Sequence, residues 1–258
     1  MVSGNHVQGF SQFTVADFNK DGLPDFVGPN GTALAILLRQ SGTWAGLPIT
    51  LPTNVRAGQL STGDFNKDGN PDLVVTSSNW TGQMTDPNVV GGVFVLLGDG
   101  HGGFGTATAI TAAGTSIVSV QVGDVNSDGN PDLVAGDQVS ASVTVLFGDG
   151  TGAFSKGPVA MMSGGGIPVL TTGQFTSVAR TDLLVGSGLG TTSYAFWISN
   201  GNTLANPAPL RLDPTHPSPS INHAVDLNGD GRADLVVMDY ISGTSGSKSL
   251  LSTMLINP

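Results

Sequence analysis

Short apolar runs, each closed by turn residues, organise the chain. Phe26-Val27, Leu73-Val-Val75, Leu133-Val-Ala135, Leu183-Leu-Val185 and Leu235-Val-Val237 form one set, and a second set follows, as in Val93-Phe-Val-Leu-Leu97 and Val143-Thr-Val-Leu-Phe147. Runs of this length framed by Gly, Pro, Asn and Asp predict β-strands. They are continuous rather than alternating, so the strands are expected to be covered on both faces. A β-type run such as Ser116-Ile-Val-Ser-Val-Gln-Val122 precedes the first set, and another such as Ala107-Thr-Ala-Ile-Thr111 closes the unit. Two units place a Gly-rich hairpin before that closing run, Gly98-Asp-Gly-His-Gly-Gly103 and Gly148-Asp-Gly-Thr-Gly152, leading to Phe104 or Phe154. Gly and Asp there supply positive φ and local hydrogen bonds.

The units are copies of one another. Four contain a nine-residue phrase: Asp17-Phe-Asn-Lys-Asp-Gly-Leu-Pro-Asp25, Asp64-Phe-Asn-Lys-Asp-Gly-Asn-Pro-Asp72, Asp124-Val-Asn-Ser-Asp-Gly-Asn-Pro-Asp132 and Asp226-Leu-Asn-Gly-Asp-Gly-Arg-Ala-Asp234. A degraded copy reads Gln174-Phe-Thr-Ser-Val-Ala-Arg-Thr-Asp182. In chain order the copies start 47, 60, 50 and 52 residues apart. A period near 50 matches a propeller blade of about four strands. The expected fold is therefore all-β: a β-propeller of about five four-stranded blades. The blades span 7–56, 57–115, 116–165, 166–217 and 218–258, within a single domain 1–258. The last unit reaches only a third strand at Met254-Leu-Ile-Asn-Pro258, so that blade is expected to be three-stranded or the chain to be part of a longer array.

Composition narrows the chemistry. The 258 residues include 38 Gly and no Cys; all 19 acids are Asp, against 9 Lys plus Arg, giving a net charge of −10. A chain without Glu argues against a helical bundle. Lack of Cys excludes disulfide scaffolds, zinc ribbons and cysteine nucleophiles. Few, scattered cations make a poor nucleic-acid footprint, so no nucleic-acid partner is expected. A hydrophobic content of 39% supports a folded core rather than disorder. No apolar run nears the roughly 20 residues that span a bilayer, so no membrane insertion is expected. The opening Met1-Val-Ser-Gly-Asn-His6 shows neither a basic nor an apolar signal-peptide region.

The phrase D-x-N-x-D-G-x-x-D sets side-chain oxygens at positions 1, 3, 5 and 9 of one tight loop. Gly at position 6 permits the turn, and the position-7 carbonyl can join the oxygens. Such an all-oxygen set suits a hard cation, Ca²⁺ before Mg²⁺. Asp, Asn and Gly also form turns unaided, so one copy would decide little. Four copies at equivalent points argue for a cation. Carboxylates about 5 Å apart repel by roughly 3 kcal/mol per pair at an effective dielectric of 20. An EF-hand loop is excluded, because its position-12 carboxylate is replaced by Gly28, Val75, Ala135 and Val237.

The phrase, the DLVV-type strand after it and the later LLGDGxGxF hairpin resemble the FG-GAP/VCBS repeat of integrin-α-type calcium-binding propellers. The resemblance implies Ca²⁺ in the loop joining the first and second strands of a blade, at four sites. The implied ligands are Asp17, Asn19, Asp21, Leu23 (carbonyl) and Asp25; Asp64, Asn66, Asp68, Asn70 (carbonyl) and Asp72; Asp124, Asn126, Asp128, Asn130 (carbonyl) and Asp132; and Asp226, Asn228, Asp230, Arg232 (carbonyl) and Asp234. The degraded loop from Gln174 to Asp182 is expected to bind none. Integrin-type propellers have seven blades, whereas five units are present here. The resemblance also implies an extracellular or periplasmic adhesion or ligand-binding module in which calcium is structural.

No catalytic residue is expected. Six Asp lie outside the phrases, the four His are scattered, and no nucleophile elbow or P-loop occurs. The recurrent polar position three residues before the phrase (Thr14, Ser61, Gln121, Thr171, His223) is expected to make inter-blade or channel-lining hydrogen bonds. A protein or glycan ligand is expected at the end opposite the calcium loops, where unit two carries its long insertion 76–88. Trp80 in that insertion and Tyr240, placed in the equivalent loop of unit five, are the candidate ligand contacts. The alternative reading is a non-catalytic or partial propeller domain of a larger secreted polysaccharide-active enzyme.

Overall fold

The structure is a computed structural model that describes residues 13–30, 33–79, 84–162, 168–175, 181–187, 193–197, 208–211, 219–243 and 246–254. Trp80 lies outside them. Their secondary structure is nineteen strands and one 3-10 turn, Thr111–Ala113.

The strands form five antiparallel sheets, each connected up and down in chain order. The first contains β1 (Thr14–Ala16), β2 (Asp25–Asn30), β3 (Ala33–Gln40) and β4 (Thr43–Ile49), the second β5 (Leu60–Gly63), β6 (Asp72–Ser77), β7 (Gly92–Leu96) and β8 (Thr108–Ile110). The third contains β9 (Ile117–Gly123), β10 (Asp132–Asp137), β11 (Ser142–Gly148) and β12 (Phe154–Met161). The fourth contains β13 (Pro168–Gly173), β14 (Asp182–Ser187), β15 (Ser193–Trp197) and β16 (Ala208–Arg211). The fifth has three strands, β17 (Pro219–Val225), β18 (Asp234–Gly243) and β19 (Gly246–Met254). These are blades of a propeller-type fold, and every phrase falls between a first and a second strand.

Strands β6, β7 and β10 are buried at every position. That is what continuous apolar runs require, since each fully buried Val, Leu or Phe contributes about 1.5–3 kcal/mol. The chain divides into two compact units, Met1–Val120 with Gly148–Phe154, and Gln121–Phe147 with Ser155–Pro258. The core of the first gathers Phe18, Val27, Ile36, Leu73, Val75 and Phe94. That of the second gathers Val125, Val134, Val145, Leu170, Leu183 and Val185.

Successive sheets are tied in two ways, and the residue at position 8 of the phrase selects between them. In the second unit a position-8 N–H crosses to the preceding loop: Thr181 donates to the Asp124 carbonyl (3.2 Å) and Ala233 to the Gln174 carbonyl (2.7 Å). The first three phrases have Pro24, Pro71 and Pro131 at this position, and proline has no N–H. There the Gly-rich hairpins take over. Gly102 donates to the Phe18 carbonyl (3.0 Å) and Gly152 to the Phe65 carbonyl (2.9 Å). Phe104 then meets Phe18 edge to face at 5.4 Å, and Phe154 meets Phe65 at 5.6 Å. Sheet-to-sheet bonds also run from Thr172 Oγ1 to the Val122 carbonyl (3.1 Å) and from the Val120 N–H to Gln59 Oε1 (2.9 Å). These lie beside the recurrent polar position of the sequence rather than on it.

Candidate functional site

The four intact phrases share one local geometry. Position 6 is left-handed in each, with φ of 82° at Gly22, 79° at Gly69, 81° at Gly129 and 83° at Gly231. This conformation favours glycine. Position 4 is left-handed as well, at Lys20 (57°), Lys67 (58°), Ser127 (62°) and Gly229 (79°). Two reversals in three residues curl the backbone around the side chains of positions 1, 3 and 5.

In the second loop Asp64 accepts the N–H groups of Asp68 (3.1 Å) and Gly69 (2.9 Å). Asn66 accepts the Asp68 N–H (3.2 Å) and donates its amide to Asp68 Oδ2 (2.9 Å), and Asp68 Oδ1 accepts the Asn70 N–H (2.7 Å). Asp17, Asn19, Asp21 and Leu23 repeat this arrangement, as do Asp124, Asn126, Asp128 and Asn130. In the last loop Asp226 accepts Gly229 (2.7 Å) and Gly231 (2.9 Å), Asn228 accepts the Asp230 N–H (2.8 Å), and Asp230 accepts Arg232 (2.9 Å). Positions 1, 3 and 5 thus come together in every intact copy.

The Asp at position 9 is placed differently. Asp25, Asp72, Asp132 and Asp234 each begin the second strand and are fully buried. Asp72 Oδ2 accepts the Phe65 N–H (2.7 Å) and Oδ1 the Gly98 N–H (2.8 Å), so one carboxylate clamps the start of its loop to the exit of the third strand. Asp25 does the same with Phe18 (3.0 Å) and Arg39 (2.7 Å). Asp132 accepts Val125 (2.8 Å) and Asp234 accepts Leu227 (3.0 Å). The clamp needs a close approach at Gly98, where a Cβ would stand 2.2 Å from the Pro71 carbonyl oxygen. The degraded copy keeps the loop side of the clamp: Asp182 is fully buried and its Oδ2 accepts the Phe175 N–H (3.2 Å). The rest of that loop, 176–180, lies outside the described residues.

Titration separates the two roles. Burial pushes the Asp72 carboxyl above its ordinary value, against the N–H groups of Gly98 and Phe65. The exposed Asp68 is held below its ordinary value, first by the Asn70 N–H and then by the Asn66 side chain. Asp226 is lowered chiefly by the Gly231 and Gly229 N–H groups. Asp68 and Asp226, at positions 5 and 1 of their loops, are thereby kept anionic at solvent-facing sites.

This donor set, two carboxylates and an amide oxygen per loop with no sulfur or imidazole, fits a hard divalent cation. Position 9 would ligate only through lone pairs left over from its backbone bonds. Among the described residues no three Asp or His side chains already converge as a metal cluster.

Tyr240 lies within β18, where it pairs with Ser249, instead of in a loop. The β18–β19 ladder continues to Gly243 and Gly246, so its hairpin is longer than the apolar run alone suggested. Residues that the sequence reading passed over stand beside the insertion of unit two. Arg56 Nη2 pairs with Asp86 Oδ2 at 3.1 Å. Asp86 also accepts both the backbone N–H (2.9 Å) and the side-chain amide (3.1 Å) of Asn88, and the backbone N–H is the first cause of its lowered pKa. The Asp-Pro-Asn turn was a visible signal; its pairing with Arg56 across 30 positions was not.

Residues 17–75 and 84–135 match the FG-GAP-like repeat model, and residues 57–96 match the FG-GAP repeat model. Residues 17–135 thus carry FG-GAP-type repeats. No match is found among curated proteins. Among solved structures the chain is similar to a protein from Lactobacillus plantarum, at 12% identity and a TM-score of 0.60, covering 96% of this chain and 71% of that one. It is also similar to an exo-beta-1,3-galactanase from Phanerochaete chrysosporium, determined with beta-1,3-galactotriose, at 10% identity and a TM-score of 0.54. That match covers 89% of this chain and 57% of the galactanase chain. At such identities the likeness is one of fold. Among the described residues no helix is long and apolar enough to cross a membrane.

Proposed function

We propose that this FG-GAP-repeat propeller is an extracellular or periplasmic ligand-binding module whose four intact loops hold structural Ca²⁺. The carrying observation is the fourfold recurrence of one geometry in which positions 1, 3 and 5 turn exposed anionic and amide oxygens into one loop. Asp17, Asn19, Asp21 and their counterparts would hold the ion, with the position-7 carbonyl and the remaining lone pairs of position 9 completing the set. Bound calcium supplies charge neutralisation and a fixed loop shape. Four ions would bring the formal charge from −10 to −2. The position-9 carboxylate holds the loop mouth to the sheet and so presents positions 1, 3 and 5 from a rigid base.

The chain is assigned no catalytic role. Asp99 and Asp149, two of the Asp outside the phrases, are occupied in hairpin turns, Asp99 accepting His101 and Gly103 and Asp149 accepting Thr151. At a free Ca²⁺ concentration a hundredfold above Kd, each site adds about 2.7 kcal/mol. Thermal melting in calcium against chelator tests the reading. A rise in Tm with calcium but not with equal ionic strength of NaCl is expected, and an unchanged Tm would sink it.

A further inference from the structure

A cleft of about 530 Å³ lies where the connection from β4 to β5 meets the insertion between β6 and β7. Its wall includes Pro48, Leu51, Pro52, Arg56, Asn88 and Val89. We propose that this cleft binds a neutral oligosaccharide, which rests on the ligand-binding reading above and gives it a place and a ligand class.

The two segments are stitched together by their backbones and one serine. The Arg56 N–H donates to Ser77 Oγ (3.2 Å), Ser77 Oγ donates to the Val90 carbonyl (2.7 Å), and the Val90 N–H donates to the Asn54 carbonyl (2.9 Å). The Asp86 N–H in turn bonds the Asn79 carbonyl (2.6 Å). The described end of the insertion, 84–90, is thereby fixed against the connection, which leaves less ordering for the ligand to supply.

The lining has the chemistry of a sugar site. Pro48, Leu51 and Pro52 offer an apolar surface for the C–H face of a pyranose. Arg56 and Asn88, both held by Asp86 behind them, offer donors and acceptors for its hydroxyl rim. A guanidinium carries five N–H donors, and the Arg56 side chain is 57% exposed, so it can donate to a ligand while holding Asp86.

Charge selects a neutral ligand. Asp86 already compensates the Arg56 cation, so the pair presents no net charge to an ionic ligand. A strand-adding peptide is disfavoured, because Pro48 and Pro52 supply no N–H to a ladder. A second cleft of about 520 Å³ shares Pro48–Pro52 and extends toward Gly102–Ala107. The two clefts share the Pro48–Pro52 wall, so a ligand seated on it can reach into either.

The test is an array of immobilised neutral glucan, galactan and mannan oligosaccharides with uronate oligosaccharides and proline-rich peptides, probed in calcium. The wild-type chain is expected to retain neutral oligosaccharides. Arg56→Ala and Asn88→Ala should each weaken that binding about tenfold, the scale of one lost charge-assisted or bidentate contact, at unchanged Tm. Retention of uronates or peptides alone, of no probe at all, or equal binding by both variants overturns the proposal. Calcium-dependent melting on the same samples keeps the two readings apart. A calcium-stabilised chain that ignores sugars loses only the cleft; cleft-dependent sugar binding without a calcium effect loses only the metal.

Discussion

The loops 64–72 and 174–182 occupy the same place in the second and fourth repeats and differ at most of their polar positions. The first presents Asp64, Asn66 and Asp68 around a left-handed Gly69; the second has Gln174, Thr176, Val178 and Ala179 there. Both keep the last residue, and both bury it completely, with Asp72 and Asp182 accepting the N–H of the residue at position 2. The difference teaches that one nine-residue phrase carries two separable devices. The first three oxygens form an exposed cage that can be lost without losing the strand. The fourth is a buried clamp that the sheet needs whether or not a cation is present.

The comparison breaks most visibly at the clamp. Asp72→Ala strands two buried N–H groups and removes two charge-assisted bonds, an expected loss of about 3–5 kcal/mol. Denaturant unfolding should show most of it in chelator as well as in calcium, and Asp182→Ala should show a smaller, wholly calcium-independent loss. A clamp variant whose cost vanished in chelator would make position 9 a metal ligand first. The cage should behave in the opposite manner. Asp64→Ala combined with Asp68→Ala is expected to leave stability in chelator nearly unchanged and to remove about 2.7 kcal/mol of the calcium increment at a hundredfold excess over Kd. An equal cost in both buffers would merge the two devices into one.

The smallest effect concerns the hairpin that rests on the first loop. The Asp99 pKa lies below its usual 3.8, first through the His101 N–H and then, against some burial, the Gly103 N–H. A lowered folded pKa gives stability that is present above 3.8 and is lost as pH falls through the folded value. The Gly102 amide, bonded to the Phe18 carbonyl, should therefore lose protection against exchange by about a few-fold between pH 5 and pH 3, measured as a protection factor. Constant protection would show that Phe104 packing alone seats the hairpin.

Much of this was legible in the residues. Continuous runs such as Leu73-Val-Val75 showed strands covered on both faces, and the repeated phrase placed its loop between first and second strands. The features that local pattern does not reveal share a cause. Nothing local in Asp72 distinguishes an inward carboxylate from a ligand, because its partner Gly98 is 26 residues away. Arg56 and Asp86 are likewise unremarkable until the chain brings them together. Tyr240 was misplaced because a Ser- and Gly-rich segment continued a ladder that hydrophobicity alone would have ended.

By itself the sequence determined the repeat, the strand class and the oxygen chemistry of the loops, since short-range spacing and side-chain type suffice for these. It even encoded which tie each sheet would use, through proline or its absence at position 8. Tertiary structure alone sets where each tie ends, which carboxylate of the phrase turns inward, and the pairing of Arg56 with Asp86 of the insertion. Those depend on backbone groups brought together from distant positions, and the hydrogen bonds that fix them form only once the sheets have stacked.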